Sequence, residues 1–233
     1  MKIKYPRTMN CPWSHSNSSD DVWWSDCEPF VGQEVVVTEK LDGECTTIYP
    51  DGQVHARSLE TSHHPSRSWV KQFAAKFAHE IPKGWRICGE NLYAWHSIFY
   101  TDLPSYFFVY GIYDDRNMCV SWDQVQELCE LLDLQTVPVI YRGKWDANHI
   151  QKLWTGQGRF PTFGTKVEYP TPMEDFTPCE AEGYVIRLAN EFPYQDFRTC
   201  CAKMVRENHV QTSTNWLSRS VLPNVLYNQQ SEP

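Results

Sequence analysis

The sequence predicts an α+β fold of antiparallel sheets flanked by helices, and three observations predict it. Short apolar runs of strand type recur along the chain, at residues 35–40, 85–90, 107–113, 182–188 and 200–206. Tyr49-Pro50-Asp51-Gly52 joins two further runs, 46–49 and 53–57, in the manner of an antiparallel hairpin, because Asp-Gly readily takes the positive φ of a tight turn. Only a few stretches carry a helical period.

The elements follow in order. Residues 1–34 are rich in Pro, Ser, Asn and Asp, which favour turns, yet contain Trp13, Trp23 and Trp24. They read as an irregular arm packed onto the core. Residues 35–40 form a strand, and the hairpin after it is expected to return beside that strand, bringing Arg57 towards Lys40. Residues 66–79 are helical, with Trp69, Phe73 and Phe77 in an i, i+4, i+8 stripe. Residues 107–113 are apolar throughout and read as a central strand. Ser121 caps a second helix, with Gln124 at the capping-box position and Val125, Leu128 and Leu132 on one face. Asp146 starts a shorter helix carrying Ile150, Leu153 and Trp154. Residues 155–180 have no period and form a long loop. Residues 35–216 make one domain and 217–233 a short tail; the stretch from His209 to Pro233 carries apolar anchors at Trp216-Leu217 and Val221-Leu222 and a frayed end.

Composition narrows the function classes. The 233 residues suffice for a sizeable core. No apolar run is long enough to span a bilayer, and the N-terminus lacks a signal-peptide centre. The expectation is a soluble, cytoplasmic protein without a membrane partner. Nine cysteines at irregular spacing, several inside apolar runs (Cys88, Cys119, Cys129, Cys201), read as reduced core thiols. Cys11, His15 and Cys27 match no standard zinc spacing. A formal net charge of -8 argues against broad, non-specific nucleic-acid binding. A local basic groove built from Arg57, Arg67, Lys71, Lys203 and Arg206 is compatible with it.

The chemistry centres on Glu39-Lys40-Leu41-Asp42-Gly43-Glu44, a lysine between carboxylates beside a glycine that would let a ligand approach the backbone. Alone this turn is weak. Its order with Arg57, Glu90, an aromatic near Tyr110, Glu182 and Lys203, each on a strand-type run, is specific. That series resembles the covalent nucleotidyltransferase superfamily of ATP-dependent DNA and RNA ligases and capping enzymes. Thr38-Glu39-Lys40-Leu41-Asp42-Gly43-Glu44, His55-Ala56-Arg57-Ser58, Gly89-Glu90-Asn91-Leu92-Tyr93 and Lys203-Met204-Val205-Arg206 together look like the RNA ligase family related to phage T4 RNA ligase 2. Tyr5-Pro6-Arg7-Thr8, His64-Pro65-Ser66-Arg67 and His209-Val210-Gln211-Thr212 resemble a compact branch of it. The likeness runs from about residue 5 to about residue 216.

The resemblance implies an ATP-grasp-like nucleotidyltransferase domain, with ATP and Mg²⁺ (or Mn²⁺) as cofactors and RNA ends, a 5′-phosphate and a 3′-hydroxyl, as partners. It implies Lys40 as the nucleophile that carries AMP, Glu182 as catalytic metal ligand and Lys203 as phosphate lysine. Glu39, Arg57, Glu90, Tyr110 and Arg206 are the implied nucleotide contacts, with Phe108 as the alternative adenine platform and Arg67 a weaker candidate for RNA phosphate. His63, His64 and His209 read chiefly as loop histidines. Gly111 stands where ligases usually carry Asp, and Val205 where a second lysine is expected, which leaves Arg206 as its substitute. The C-terminus has no room for an OB-fold or helical domain, so the chain would either act alone on weakly held ends or borrow affinity from an accessory protein in that domain's place. A minimal DNA ligase, a capping-type guanylyltransferase and a non-catalytic RNA-end-binding protein are the alternatives.

A lysine of ordinary pKa would pay about 4–5 kcal/mol to lose its proton at neutral pH. Burial, Lys203 and a metal are expected to depress that pKa, with Glu39 and Asp42 turned away from Lys40.

Overall fold

The computed structural model describes residues 2–16, 21–59, 64–165, 173–207 and 220–227. Two sheets carry the fold. In the first, the strands run in the order Met9–Asn10, Cys201–Val205, Gly183–Leu188, Glu34–Lys40, Val139–Lys144. All neighbours are antiparallel except Met9–Asn10, which lies parallel to Cys201–Val205. The second is built on Glu44–Ile48, Val54–Ala56, Arg86–Asn91 and Phe107–Tyr113, with short edge pieces at Met118–Cys119 and Phe192–Pro193. Phe107–Tyr113 is central, pairing with Arg86–Asn91 on one side and with Met118–Cys119 and Gln135–Thr136 on the other. The α+β class read from the sequence is what the chain forms.

Consecutive valines explain where the first sheet sits. Val35, Val36 and Val37 are all fully buried. Alternation sends Val36 into the core under the second sheet and Val35 and Val37 into a separate core with Phe30, Ile150 and Tyr184. A strand buried on both faces reads as an unbroken apolar run. Burying each valine contributes roughly 1.5–3 kcal/mol.

The chain passes from one sheet to the other at Leu41-Asp42-Gly43. The hairpin therefore does not return beside the Glu34–Lys40 strand: Val54–Ala56 pairs with Glu44–Ile48 in the second sheet. The lysine strand is flanked instead by Gly183–Leu188 and by Val139–Lys144, and the mixed polar sequence of the latter (Arg142, Lys144) and its exposure at the sheet edge hide its strand character.

The helices keep close to their expected places. The first runs Ser68–Phe77 between short 3₁₀ turns at Pro65–Arg67 and Ala78–Glu80. Its fully packed face is Val70, Ala74 and Phe77, while Trp69 and Phe73 stack at 4.8 Å at the margin of the core. The second, Trp122–Leu131, has the full Ser121–Gln124 capping box. Asp146 caps Ala147–Leu153 by accepting from the His149 amide at 3.0 Å. Within the long loop, Thr162–Gly164 pairs with Phe99–Tyr100 and Thr177–Pro178.

The tail is anchored by a residue that no apolar pattern marks. Asn224 is 1% exposed; its side-chain amide donates to the Leu92 carbonyl (2.6 Å) and its Oδ1 accepts from the Tyr100 amide (2.8 Å). Val221 and Leu222 are only half-buried, and Trp216-Leu217 and the end of the tail lie outside the described residues. All nine cysteines are free thiols, six of them buried. No helix among the described residues is long and apolar enough to cross a membrane.

Candidate active site

A cavity of about 660 Å³ opens between the two sheets, and the crossover segment lies on its wall. Lys40 ends the Glu34–Lys40 strand and points into it with its side chain 24% exposed. Gly43 owes its place to close packing: a Cβ there would lie 2.6 Å from the Asn91 carbonyl oxygen and 2.7 Å from Leu92 Cδ2. It is not among the positive-φ glycines, so the expected backbone role is replaced by a steric one. Asp42 is turned from the cavity. Its Oδ2 accepts from the amides of Ser97 and Ile98, both at 2.8 Å, and its own amide donates to the Tyr100 hydroxyl at 2.9 Å. Glu39 also points away from Lys40, with Oε2 accepting from the Arg159 amide at 2.7 Å. Its Oε1 is buried against Gly158 and has no hydrogen-bond partner.

The expected depression of the Lys40 pKa is corrected by the geometry. Lys40 Nζ donates to Glu182 Oε2 at 2.8 Å. Burial alone would push the ammonium pKa down, but the charges of Glu182, Glu90 and Asp42 outweigh it and hold the group above the ordinary lysine range. Lys203, expected to help depress that pKa, is itself paired with Asp21. Three carboxylates around one ammonium leave a surplus of negative charge, and Glu90 absorbs it. Burial first, then Glu182 and Asp42, push its pKa up to about 8, against the pull of Lys40 and of the Gly43 amide, which donates to Glu90 Oε1 at 3.2 Å. A divalent cation suits such a surplus. Hard oxygens are its ligands, and phosphate and water commonly complete its shell. Glu182 and Glu90 fit that donor set. No group of three or more ligands converges among the described residues, so substrate and water would supply the rest.

Sheet register places the second lysine. Lys203 pairs with Val185, Val185 with Thr38, and Gly183 with Lys40. Directly opposed residues share a face, so Lys203 and Lys40 project from the same side of the sheet into one cavity. Gly183 lets the Gly183–Leu188 and Cys201–Val205 strands lie close here, since a Cβ on it would meet the Met204 carbonyl oxygen at 2.0 Å. Lys203 is held by the arm: Nζ lies 3.0 Å from Asp21 Oδ1. Burial would raise the Asp21 carboxyl, but hydrogen bonds from Ser16 and Lys203 outweigh it and keep it below the usual carboxylate range. Asp21 was invisible in the sequence, lying in a polar stretch without period.

Tyr110 lines the cavity and Phe108 does not. The register between Arg86–Asn91 and Phe107–Tyr113 shifts between Cys88 and Gly89, which face Gly111 and Val109, so Tyr110 is the extra residue of a bulge. The bulge breaks the alternation that would have given the two rings one environment. Phe108 packs against Phe160 at 5.3 Å in the core. The Tyr110 hydroxyl donates to Cys45 Sγ at 2.9 Å, and Tyr5 of the arm meets the Tyr110 ring edge-on at 5.0 Å. At Gly111 the absent carboxylate leaves space towards Cys119 and Arg187; the Arg187 guanidinium, 4% exposed, instead donates to the carbonyls of Leu188, Tyr110 and Val120.

Of the residues singled out from sequence, Lys40, Lys203, Glu39, Arg57, Arg67, Glu90 and Tyr110 line the one cavity, and Glu182 joins it through Lys40. Arg57 is exposed at the rim. Arg206 does not line the cavity. The strand ends at Val205, and the Arg206 side chain turns back to donate to the Ala181 carbonyl at 2.9 Å. It positions the Glu182 backbone, whose carbonyl accepts from the Arg206 amide at 3.0 Å. Arg67 is corrected as well. It forms a buried ion pair with Glu44, Nε lying 2.8 Å from Oε2, and is engaged where free donors to RNA were expected. His64 caps the Pro65–Arg67 turn; His63 and His209 lie outside the described residues. His96, 7% exposed on the cavity wall, carried no sequence signal.

Among solved structures, an archaeal ATP-dependent RNA ligase is 15% identical over 89% of this chain and 49% of its own, with a TM-score of 0.53. A Naegleria gruberi RNA ligase mutant without ligand is 16% identical over 79% of this chain and 52% of its own, TM-score 0.51. Another mutant of that ligase, solved with ATP and Mn, is 17% identical over 78% and 52%, TM-score 0.50. At these identities the likeness shows the fold, and the chain spans about half the length of the structures it matches. No curated protein matches the sequence. The family model described as RNA ligase matches residues 33–205, most of the chain and every strand that carries the cavity's lysines and carboxylates, and the chain belongs to that family.

Proposed function

We propose that the chain is an ATP-dependent RNA ligase that carries AMP on Lys40. The observation that supports this best is the convergence of Lys40, Lys203, Glu90 and Tyr110 on one cavity with Glu182 in contact with Lys40. The Naegleria structure with ATP and Mn has the same fold.

Lys40 Nζ attacks the α-phosphorus of ATP, forming a P–N bond as the bond to pyrophosphate breaks. An oxygen of the RNA 5′-phosphate then attacks the same phosphorus, breaking the P–N bond and giving RNA capped with AMP. A 3′-hydroxyl attacks the RNA phosphorus, AMP leaves, and a phosphodiester remains. Lys40 must be neutral for the first attack. While it is paired with Glu182 it is held charged. Glu182 is also the first choice to hold a divalent cation, which would neutralise phosphate charge when bound. A cation held by Glu182 would draw that carboxylate's charge away from Lys40, leaving only the weaker pull of Glu90 and Asp42 against burial. Lys203 neutralises the α-phosphate once Asp21 yields. Tyr110 offers a ring face to adenine, and Glu39 on the same cavity wall is the candidate polar contact for the base. Glu90 is suited to the ribose hydroxyls, and Arg57 at the rim to a phosphate.

The test is joining of RNA strands bearing a 5′-phosphate and a 3′-hydroxyl, with ATP and Mg²⁺, followed on a denaturing gel. The expected result is joined RNA and a transient AMP-capped strand, both lost in Lys40→Ala. Joining restricted to DNA ends, or capping with GTP alone, would overturn the assignment.

A further inference from the structure

A second pocket of about 240 Å³ adjoins the active-site cavity and is lined by Lys4, Arg7, Arg57 and Arg198 with Tyr5, Pro6 and Tyr194. It contains four cations and no carboxylate, in a chain with 21 basic and 29 acidic residues. A chance surface of that composition would mix signs. Three separate segments supply the charges: the arm, the end of the Val54–Ala56 strand and the Phe197–Cys200 turn of helix.

The backbone under them is fixed. The Tyr5 ring packs edge-on against Phe197 at 5.2 Å, which brings their neighbours Lys4 and Arg198 to the same mouth. The Tyr194 hydroxyl donates to the Lys4 carbonyl at 2.6 Å, and the Trp24 indole donates to the Arg198 carbonyl at 2.8 Å. The side chains of Lys4, Arg57 and Arg198 are exposed and make no ion pair among the described residues. Holding like charges together costs free energy until an anion arrives.

The geometry points to this pocket as a binding site for a backbone phosphate of the RNA strand, next to the end that is joined. The choice of RNA rests on the ligase reading. Tyr5, Pro6, Arg7 and Arg57 are shared by the two pockets, whereas Lys40 and Lys203, which face the nucleotide phosphate, belong to the inner one alone. A strand whose 5′-phosphate lies at Lys40 would run outward over Tyr5 and place a following phosphate among Lys4, Arg57 and Arg198. An overall acidic chain thereby obtains local affinity for a polyanion without a basic surface.

The experiment compares the full chain with Lys4→Ala/Arg198→Ala. Affinity is measured for a 5′-phosphorylated RNA, single-stranded and as a nicked duplex, across a salt series, and self-adenylylation is measured against ATP concentration. Melting curves verify that the variant is folded. The expected result is a loss of roughly tenfold in RNA affinity and a salt slope shallower by about 2, one counterion per lost cation. Unchanged RNA affinity and slope would overturn the proposal. So would a rise in the ATP concentration needed for adenylylation with RNA affinity unmoved, which would assign the pocket to the phosphates of the nucleotide. If the parent is not adenylylated at all, the ligase reading fails separately, and the RNA-affinity arm still decides the pocket.

Discussion

Removing Arg67 separates a structural ion pair from an RNA contact. Arg67 and Glu44 leave only 10% of each side chain exposed, and both Nε and a terminal guanidinium nitrogen of Arg67 bond the carboxylate. In Arg67→Ala the Glu44 carboxylate stays buried beside the cavity without a counterion. Breaking a buried pair in this way costs about 3–5 kcal/mol, most of it the stranded charge and not the lost attraction. For a chain of this size that is a drop of roughly 6–20 °C in melting temperature. The assay is thermal and urea unfolding of the parent, Arg67→Ala, Glu44→Gln and the double variant. With Glu44→Gln already present, removing Arg67 should cost only about 1–2 kcal/mol, because no charge is stranded. Stability within about 1 kcal/mol of the parent for Arg67→Ala, together with weakened, salt-sensitive RNA binding, would refute the reasoning and restore the RNA role.

Further outcomes follow from the same charges and contacts. The folded chain keeps a proton on Glu90 up to about pH 8 that the unfolded chain releases near 4.5, so folding stability is greatest below the lower value and falls as pH rises towards the upper one. In Glu90→Gln that decline should be shallower, as read from urea midpoints at about pH 5 and about pH 8; an equal decline in both proteins would show that Glu90 ionises normally. Asp21→Asn removes the carboxylate 3.0 Å from Lys203. The ATP concentration for half-maximal adenylylation should fall by roughly two- to fivefold, and a rise would mean that Asp21 positions Lys203 for ATP. Gly183→Ala drives a Cβ to 2.0 Å from the Met204 carbonyl and should destabilise by about 3 kcal/mol or more; a fully stable alanine variant would show that the two strands can part there.

The strands at Lys40, Glu182 and Lys203 were legible because each is a short, largely apolar run, with Lys40 at the end of Glu34–Lys40, Glu182 just before Gly183–Leu188 and Lys203 inside Cys201–Val205, and burial on both faces demands such a pattern. The Phe107–Tyr113 strand was legible for the same reason, and its bulge was not: a register shift depends on the partner strand, which local sequence does not contain. The edge strand Val139–Lys144 escaped because exposed strands need no apolar alternation. Asp21, Asn224 and His96 escaped because each is a single polar residue whose role exists only once distant segments meet. The pairing of Lys40 with Glu182 is of that kind too. Both residues were recognisable; that their strands are hydrogen-bonded neighbours, Gly183 opposite Lys40, appears only in the sheet order. Arg206 shows the opposite limit. Its place after Lys203 resembled a second phosphate cation, but the strand ends before it and the side chain turns to the Ala181 carbonyl.

The account turns on Lys40 becoming the carrier of AMP. The most direct measurement is intact-protein mass and peptide mapping after incubation with α-labelled ATP and Mg²⁺, for the parent and for Lys40→Ala. The account predicts one adenylyl group per chain, linked to Lys40 and absent from the variant. Label that survives in Lys40→Ala, or a parent that takes up no label while folded, would contradict it.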